Sequence, residues 1–106
     1  MESYGEVGTL DYVRLMIDYL NGNLNAEQYT KSFFALNKRR VNLPNGDARE
    51  VILRAHGDAD DYEPDAELRK TNPQFIAEDL LRERVARSLR DLQILGYTAD
   101  VNKSNS

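Results

Sequence analysis

Apolar residues recur every three or four positions in four separate segments of the chain, a spacing typical of amphipathic helices. The segments follow Thr9, Asn25 and Asp47, and the last one runs up to Gly96. No segment alternates apolar and polar residues as a half-buried strand does. The sequence therefore predicts an all-α protein, an antiparallel four-helix bundle with short connections.

Each predicted helix has a set of core-facing residues. These are Leu10, Val13, Met16, Ile17, Leu20 and Leu24; then Ala26, Tyr29, Phe33, Phe34 and Leu36; then Ala48, Val51, Ile52, Ala55, Ala59 and Tyr62; and finally Leu80, Leu81, Val85, Ala86, Leu89, Leu92 and Leu95. Thr9 is the predicted cap of the first helix. Asn25 with Gln28, and Asp47 with Glu50, have the spacing of a capping box.

The connections are predicted from turn residues and from composition. Residues 41–46 form a predicted turn, Pro64 ends the third helix, and residues 63–73 form a polar connection. The 106 residues fit one domain, 1–106, with loose termini at residues 1–8 and 98–106.

Composition excludes several classes of site. The chain has no Cys and one His, His56, which excludes disulfides, thiolate zinc sites and a multi-histidine metal centre. No nucleophile with a base and an orienting group is recognisable, and His56 is interpreted as a surface or boundary residue. No apolar run approaches the roughly 20 residues of a membrane helix, and no secretory signal begins the chain. We therefore expect a cytoplasmic protein that is not an enzyme, with no cofactor, no metal and no membrane contact.

Charge is distributed unevenly. Residues 1–57 carry seven acidic and seven basic side chains, whereas residues 58–106 carry eleven and seven, which accounts for the net charge of −4. Residues 58–67, here called the acidic segment, hold six carboxylates and no base. Such a segment repels nucleic acid and attracts a basic partner. The sequence thus predicts no direct binding of nucleic acid.

The predicted binding residues lie within the acidic segment. They are Asp58, Asp60, Asp61, Tyr62, Glu63, Asp65 and Glu67. Carboxylates at a helix C-terminus oppose the helix dipole, so the cluster lowers helix stability and indicates function. A solvated helix end that serves solubility is the simpler alternative. For Tyr62, a core position and an interface contact both stay open.

Three further charge patterns are not interpreted as binding sites. Calcium binding is disfavoured because the EF-hand spacing that begins at Asp58 places Glu63 where Gly is needed and Arg69 where Glu is needed. Lys38, Arg39 and Arg40 suit the C-terminal end of a helix dipole. The residues Arg82, Arg84, Arg87 and Arg90 alternate with acidic residues and are interpreted as a solvated, salt-bridging face.

Three stretches carry a further signal when they are taken together: YTKSFFALNKR at residues 29–39, ILRAHGDADDYEPD at residues 52–65, and LLRERV at residues 80–85. They resemble the colicin-like bacterial immunity proteins, which include the immunity protein of colicin D and several immunity proteins of contact-dependent growth inhibition systems. The aromatic helix with a basic end, the acid-rich turn with Tyr and Pro-Asp, and the long last helix carry the resemblance over residues 10–97.

The resemblance implies a four-helix bundle in the bacterial cytoplasm that binds the C-terminal nuclease domain of a cognate toxin, often a tRNA-cleaving domain. Such a protein neutralises the toxin without doing chemistry. An acidic surface would then cover a basic active site. The alternative is a small acidic adaptor or anti-regulator that masks a basic nucleic-acid-binding protein, and oligomeric state stays open.

Overall fold

The computed structural model of the chain describes residues 8–39 and 46–98. Within these two ranges the backbone forms five helices and no strand. They are α1 (Thr9–Leu20), α2 (Ala26–Arg39), α3 (Asp47–Asp61), α4 (Ala66–Arg69) and α5 (Glu78–Ile94). The prediction of an all-α chain is confirmed. The short helix α4 lies in the connection that the sequence predicts as merely polar.

The four long helices share one core. Helix α1 packs against α2 and α5, and α3 also packs against α2 and α5. The core consists of Tyr12, Val13, Leu15, Met16, Tyr19, Ala26, Tyr29, Phe33, Ala48, Val51, Ile52, Ala55, Ile76, Leu81, Val85 and Leu92. Residues 41–45 of the predicted turn at residues 41–46, and most of both predicted loose ends, lie outside the described residues. The single-domain boundary stays a prediction.

The buried face of α1 differs from the predicted one. Leu10 is 37% exposed, and Ile17 and Leu20 are only partly buried, whereas Tyr12 and Tyr19 are fully buried. Val13 and Met16 are buried as predicted, so the prediction, which was based on aliphatic residues, is right for part of the face and misses its aromatic members. Aromatic rings bury more apolar area than aliphatic side chains, so the tyrosines decide which face turns inward.

Ring packing between α1 and α2 explains this choice. The ring centroids of Tyr12 and Phe33 lie 5.1 Å apart, and those of Tyr19 and Tyr29 lie 4.7 Å apart. The Tyr12 hydroxyl donates a hydrogen bond of 2.7 Å to Oδ1 of Asn37. A buried tyrosine hydroxyl usually finds such a partner, and for Tyr12 the neighbouring helix α2 supplies one.

One of the three predicted helix caps is present. The Asn25 amide donates to Oε1 of Gln28 at 2.9 Å, and the Gln28 amide donates to Oδ1 of Asn25 at 2.8 Å, so this capping box is confirmed. The other two assignments are wrong, because Thr9 and Asp47 are themselves the first residues of α1 and α3. A glycine precedes each of them, and Gly46 has φ 112°, a left-handed conformation that favours glycine.

Helix α5 turns the predicted face toward the core, with a gradient along its length. Leu81, Val85 and Leu92 are buried, and Leu89 is partly buried against them. Leu95 is 39% exposed because α5 ends at Ile94, so its predicted place in the core is wrong.

Candidate functional site

The acidic segment begins inside α3 and continues into α4. Tyr62 follows the last residue of α3 in an extended conformation, which turns the chain away from the helix. Asp65 then caps α4, and its Oδ1 accepts a hydrogen bond of 2.9 Å from the Glu67 amide. Pro64 stands between these points, as predicted for a helix stop.

Backbone hydrogen bonds tie this segment to the start of α5. The Ile76 amide donates to the Asp61 carbonyl at 2.9 Å, and the Glu63 amide donates to the Ile76 carbonyl at 3.0 Å. These bonds form an isolated parallel β-bridge between Tyr62 and Ile76. Ile76 is itself buried in the core, so the bridge anchors the segment to the helices.

An arginine braces the turn from within. Nη1 of Arg69 donates to the Glu63 carbonyl at 2.7 Å and to the Pro64 carbonyl at 3.2 Å. Its guanidinium thereby closes the turn between α3 and α4. This role of Arg69 could not be predicted from the sequence, in which the residue is notable only because it breaks the calcium-loop spacing.

The seven predicted binding residues differ in exposure. Asp60, Asp65 and Glu67 are exposed, Asp61, Tyr62 and Glu63 are half-buried, and Asp58 is buried. Glu67 lies 3.3 Å from Nζ of Lys70 in an exposed pair, which water screens strongly. The exposed carboxylates thus lie at intervals from the end of α3 to α4. Their role in binding stays a prediction.

Asp58 faces α5 instead of solvent. Its Oδ1 lies 3.3 Å from Nη1 of Arg84, and its residue exposure is 9%. Burial raises the pKa of the Asp58 carboxyl above its usual value, while Arg84 and Arg54 act in the opposite direction. The carboxylate therefore joins α3 to α5 from behind the exposed acidic surface.

The prediction that four arginines of α5 lie on a solvated, salt-bridging face is wrong for two of them. Arg84 binds Asp58, and Arg82 donates to the Leu20 carbonyl at 2.9 Å and to the Tyr19 carbonyl at 3.4 Å. Helix α1 has no basic residue in its last turn, so Arg82 supplies the positive charge that its C-terminus favours. The charge pattern along α5 is visible in the sequence. Which end of another helix an arginine of α5 meets depends on how the helices pack.

Acidic residues from two other helices act on Tyr62. Tyr62 is half-buried against the core, and burial raises its pKa, an increase to which Glu78 and Glu27 add. Both glutamates are exposed and lie in the first turns of α5 and α2, where negative charge suits the helix dipole. Both glutamates are distant from the acidic segment in the chain, so no local sequence signal links them to it.

His56 lies at the edge of the core, as predicted. Its ring centroid is 6.2 Å from that of Phe33 and 5.6 Å from that of Phe34. Within residues 8–39 and 46–98, no group of three or more His, Cys, Asp or Glu side chains could hold a metal ion. No helix in the same ranges is long and apolar enough to cross a membrane.

Two stacked tyrosines beneath this surface differ in how their hydroxyls are paired. The Tyr19 hydroxyl donates to Oε2 of Glu78 at 3.2 Å, whereas the Tyr29 hydroxyl has no hydrogen-bond partner among the described residues. Burial raises the pKa of Tyr19 to about 12 and raises that of Tyr29 further. A buried hydroxyl without a partner costs about 1–3 kcal/mol.

We expect Tyr29→Phe to raise the free energy of unfolding by about 1 kcal/mol, because it removes an unpaired buried hydroxyl. Tyr19→Phe is the matched control and should lower it by about 1 kcal/mol, because it breaks the bond to Glu78. A tyrosine in the unfolded chain has a pKa near 10, whereas a buried tyrosine in the folded protein has a higher pKa. The free energy of unfolding should therefore fall as pH rises above about 10, and it should fall less steeply in Tyr29→Phe. Urea unfolding at neutral and alkaline pH measures both effects, and equal losses in the two variants would contradict this account.

A family model described as bacterial self-protective colicin-like immunity matches residues 8–92. The chain belongs to this family. The match extends from the cap of α1 to Leu92 of α5 and includes the whole acidic segment. The resemblance seen in the sequence is thereby confirmed. No curated protein and no solved structure matches the chain significantly.

Family membership makes the chain an immunity protein, which binds a cognate toxin and neutralises it. Immunity proteins of this kind are typically inhibitors that do no chemistry. A surface for one protein partner is therefore the functional site to seek, and the acidic segment is the most strongly charged candidate on the chain.

Proposed function

We propose that this immunity protein neutralises a toxin with a C-terminal nuclease domain, a tRNA-cleaving one, by covering its basic active site with the acidic segment. The observation that carries the proposal is the exposure of Asp60, Asp65 and Glu67 at the end of α3, in the braced turn and in α4, within the part of the chain that matches the family. These three side chains are exposed to solvent, whereas Asp58 is buried and paired with Arg84.

Electrostatics supports this choice of target. A nuclease site holds phosphate and stabilises its developing charge with Lys, Arg and His side chains. Carboxylates on a protein surface can occupy the same groups as a surrogate for phosphate. Complementary charge also speeds encounter and disfavours wrong partners. Inhibition then requires only that the substrate cleft is filled.

Rigidity of the turn supports it as well. The Arg69 bonds, the Asp65 cap and the bridge to Ile76 hold the backbone before any partner arrives. A segment that is already ordered loses less conformational entropy on binding. Tyr62, half-buried at the centre of the turn, is the proposed aromatic anchor, and aromatic residues of this kind often dominate binding energy.

We further propose that the four long helices form an antiparallel bundle within one domain, in the cytoplasm of a bacterium with a contact-dependent growth inhibition system. Between α3 and α5, Arg54 contacts Asp91 while the later residue Asp58 contacts the earlier residue Arg84. The ring contacts between α1 and α2 follow the same reversed order. In each of these two helix pairs, the reversed order of the contacts supports helices that run in opposite directions.

The test uses the C-terminal domain of the toxin encoded beside the immunity gene, here called the cognate toxin domain. Co-expression should protect cells, and the purified proteins should associate faster than about 10⁵–10⁶ M⁻¹s⁻¹ at low salt. The association rate should fall steeply as salt rises, while dissociation changes less, because desolvated contacts are screened weakly. A toxin domain that is not bound would sink the proposal. A salt-independent association rate would show that the acidic segment does not guide binding.

A further inference from the structure

Gly57 lies in the interior of α3 and faces solvent. A Cβ atom added there would meet no other atom within 4 Å, and its φ lies outside the left-handed region. Glycine lowers the stability of a helix relative to alanine at such a position. No contact within the described part of the chain therefore requires a glycine at this position. A glycine does, however, leave room for a partner protein to approach the helix backbone closely.

The neighbours of Gly57 on the same face of α3 are apolar and acidic. Leu53, one turn earlier, is 41% exposed, and Asp60, almost one turn later, is exposed. Residues three and four apart share a helix face, so Glu50 extends this row toward the start of α3. We call Glu50, Leu53, Gly57 and Asp60 the outer row of α3. Arg49, four residues before Leu53, is exposed on the same side of the helix, so the row is acidic only toward the end of α3.

Interface size indicates that the acidic segment cannot bind the toxin alone. A stable protein interface uses about 20–30 residues from each side. The acidic segment has ten residues, of which Asp58 and Ala59 are buried. The outer row of α3 joins the segment at Asp60 and is the exposed surface that continues it along the same helix.

We propose that the outer row of α3 is a docking surface for the cognate toxin domain, which crosses it in close contact with the helix backbone at Gly57. A basic side chain of the toxin pairs with Asp60, and an apolar one rests on Leu53. The negative charge at the Asp60 end of the row selects a basic partner, as the charge of the acidic segment does. This inference rests on the proposed function and extends its contact area along α3.

Two substitutions at Gly57 test whether the toxin domain comes into close contact with the helix backbone. Gly57→Ala should raise the melting temperature by about 4 °C, because alanine favours the helix and meets open space. Gly57→Gln should keep the fold and weaken binding of the cognate toxin domain by about tenfold or more, because the side chain fills the contact. Ala35→Gln, at an exposed position of α2, is the matched control and should leave affinity within about twofold.

The outcomes separate this inference from the proposed function. If wild-type protein binds the toxin domain and Gly57→Gln binds it equally well, the docking surface is wrong while the acidic segment stays a candidate. If wild-type protein does not bind at all, the proposed function fails first. Light scattering of the free protein provides a third readout, since a wild-type dimer that Gly57→Gln dissociates would show that a second copy occupies the row, and would overturn the proposal.

Discussion

Changing Asp60, Asp61 and Glu67 together to lysine should abolish protection against the cognate toxin and weaken binding by about 100-fold or more. Each reversal replaces an attraction to a basic cleft with a repulsion, and like charges facing each other across an interface cost several kcal/mol. The fold should survive, because all three side chains project from the end of α3 or from α4 and none is buried. Lysine near the C-terminus of α3 should even favour the helix dipole.

A variant with the same change in net charge distinguishes location from total charge. Asp18, Asp47 and Glu83 are exposed residues of α1, α3 and α5 that lie outside the acidic segment. Their combined change to lysine should reduce the association rate modestly and leave most of the affinity. If both triple variants lose binding equally, total charge governs association and the acidic segment has no special role. Melting curves confirm that each variant is folded.

Phe33→Ala should lower the free energy of unfolding by about 3–5 kcal/mol, the usual cost of removing a buried aromatic ring. Phe33 is fully buried, and its ring lies 5.1 Å from that of Tyr12 and 5.9 Å from that of Tyr29. A domain of this size has a total stability of about 5–15 kcal/mol, so the variant should be close to unfolding at physiological temperature. Urea titration with circular dichroism measures the loss.

The next residue in the chain provides the control. Phe34 is half-buried, and its ring meets that of His56 edge-on at 5.6 Å. Phe34→Ala should therefore cost clearly less, about 1–2 kcal/mol, since much of its apolar area is already in water. A larger loss at Phe34 than at Phe33 would mean that α2 presents a different face to the core.

The local sequence pattern was sufficient to predict the four long helices and one helix cap. A three-and-four spacing of apolar residues has few alternatives to an amphipathic helix, so all four long helices were located within a few residues. The Asn25 and Gln28 pair was equally readable, because a capping box closes within four residues of the chain. The caps of α1 and α3 were misplaced because glycine caps through its backbone and leaves no side-chain signature.

The acidic segment and the family likeness were visible in the sequence, because charge density and ordered motifs are properties of neighbouring residues. Only the tertiary structure decided which carboxylates face solvent: Asp58 turns inward to Arg84, while Asp60 stays exposed. The same holds for Glu27 and Glu78, whose charges raise the pKa of Tyr62 from separate helices. A pattern along one helix specifies the angle between its side chains, whereas a partner on another helix depends on how the helices pack, and that packing is set by the whole core at once.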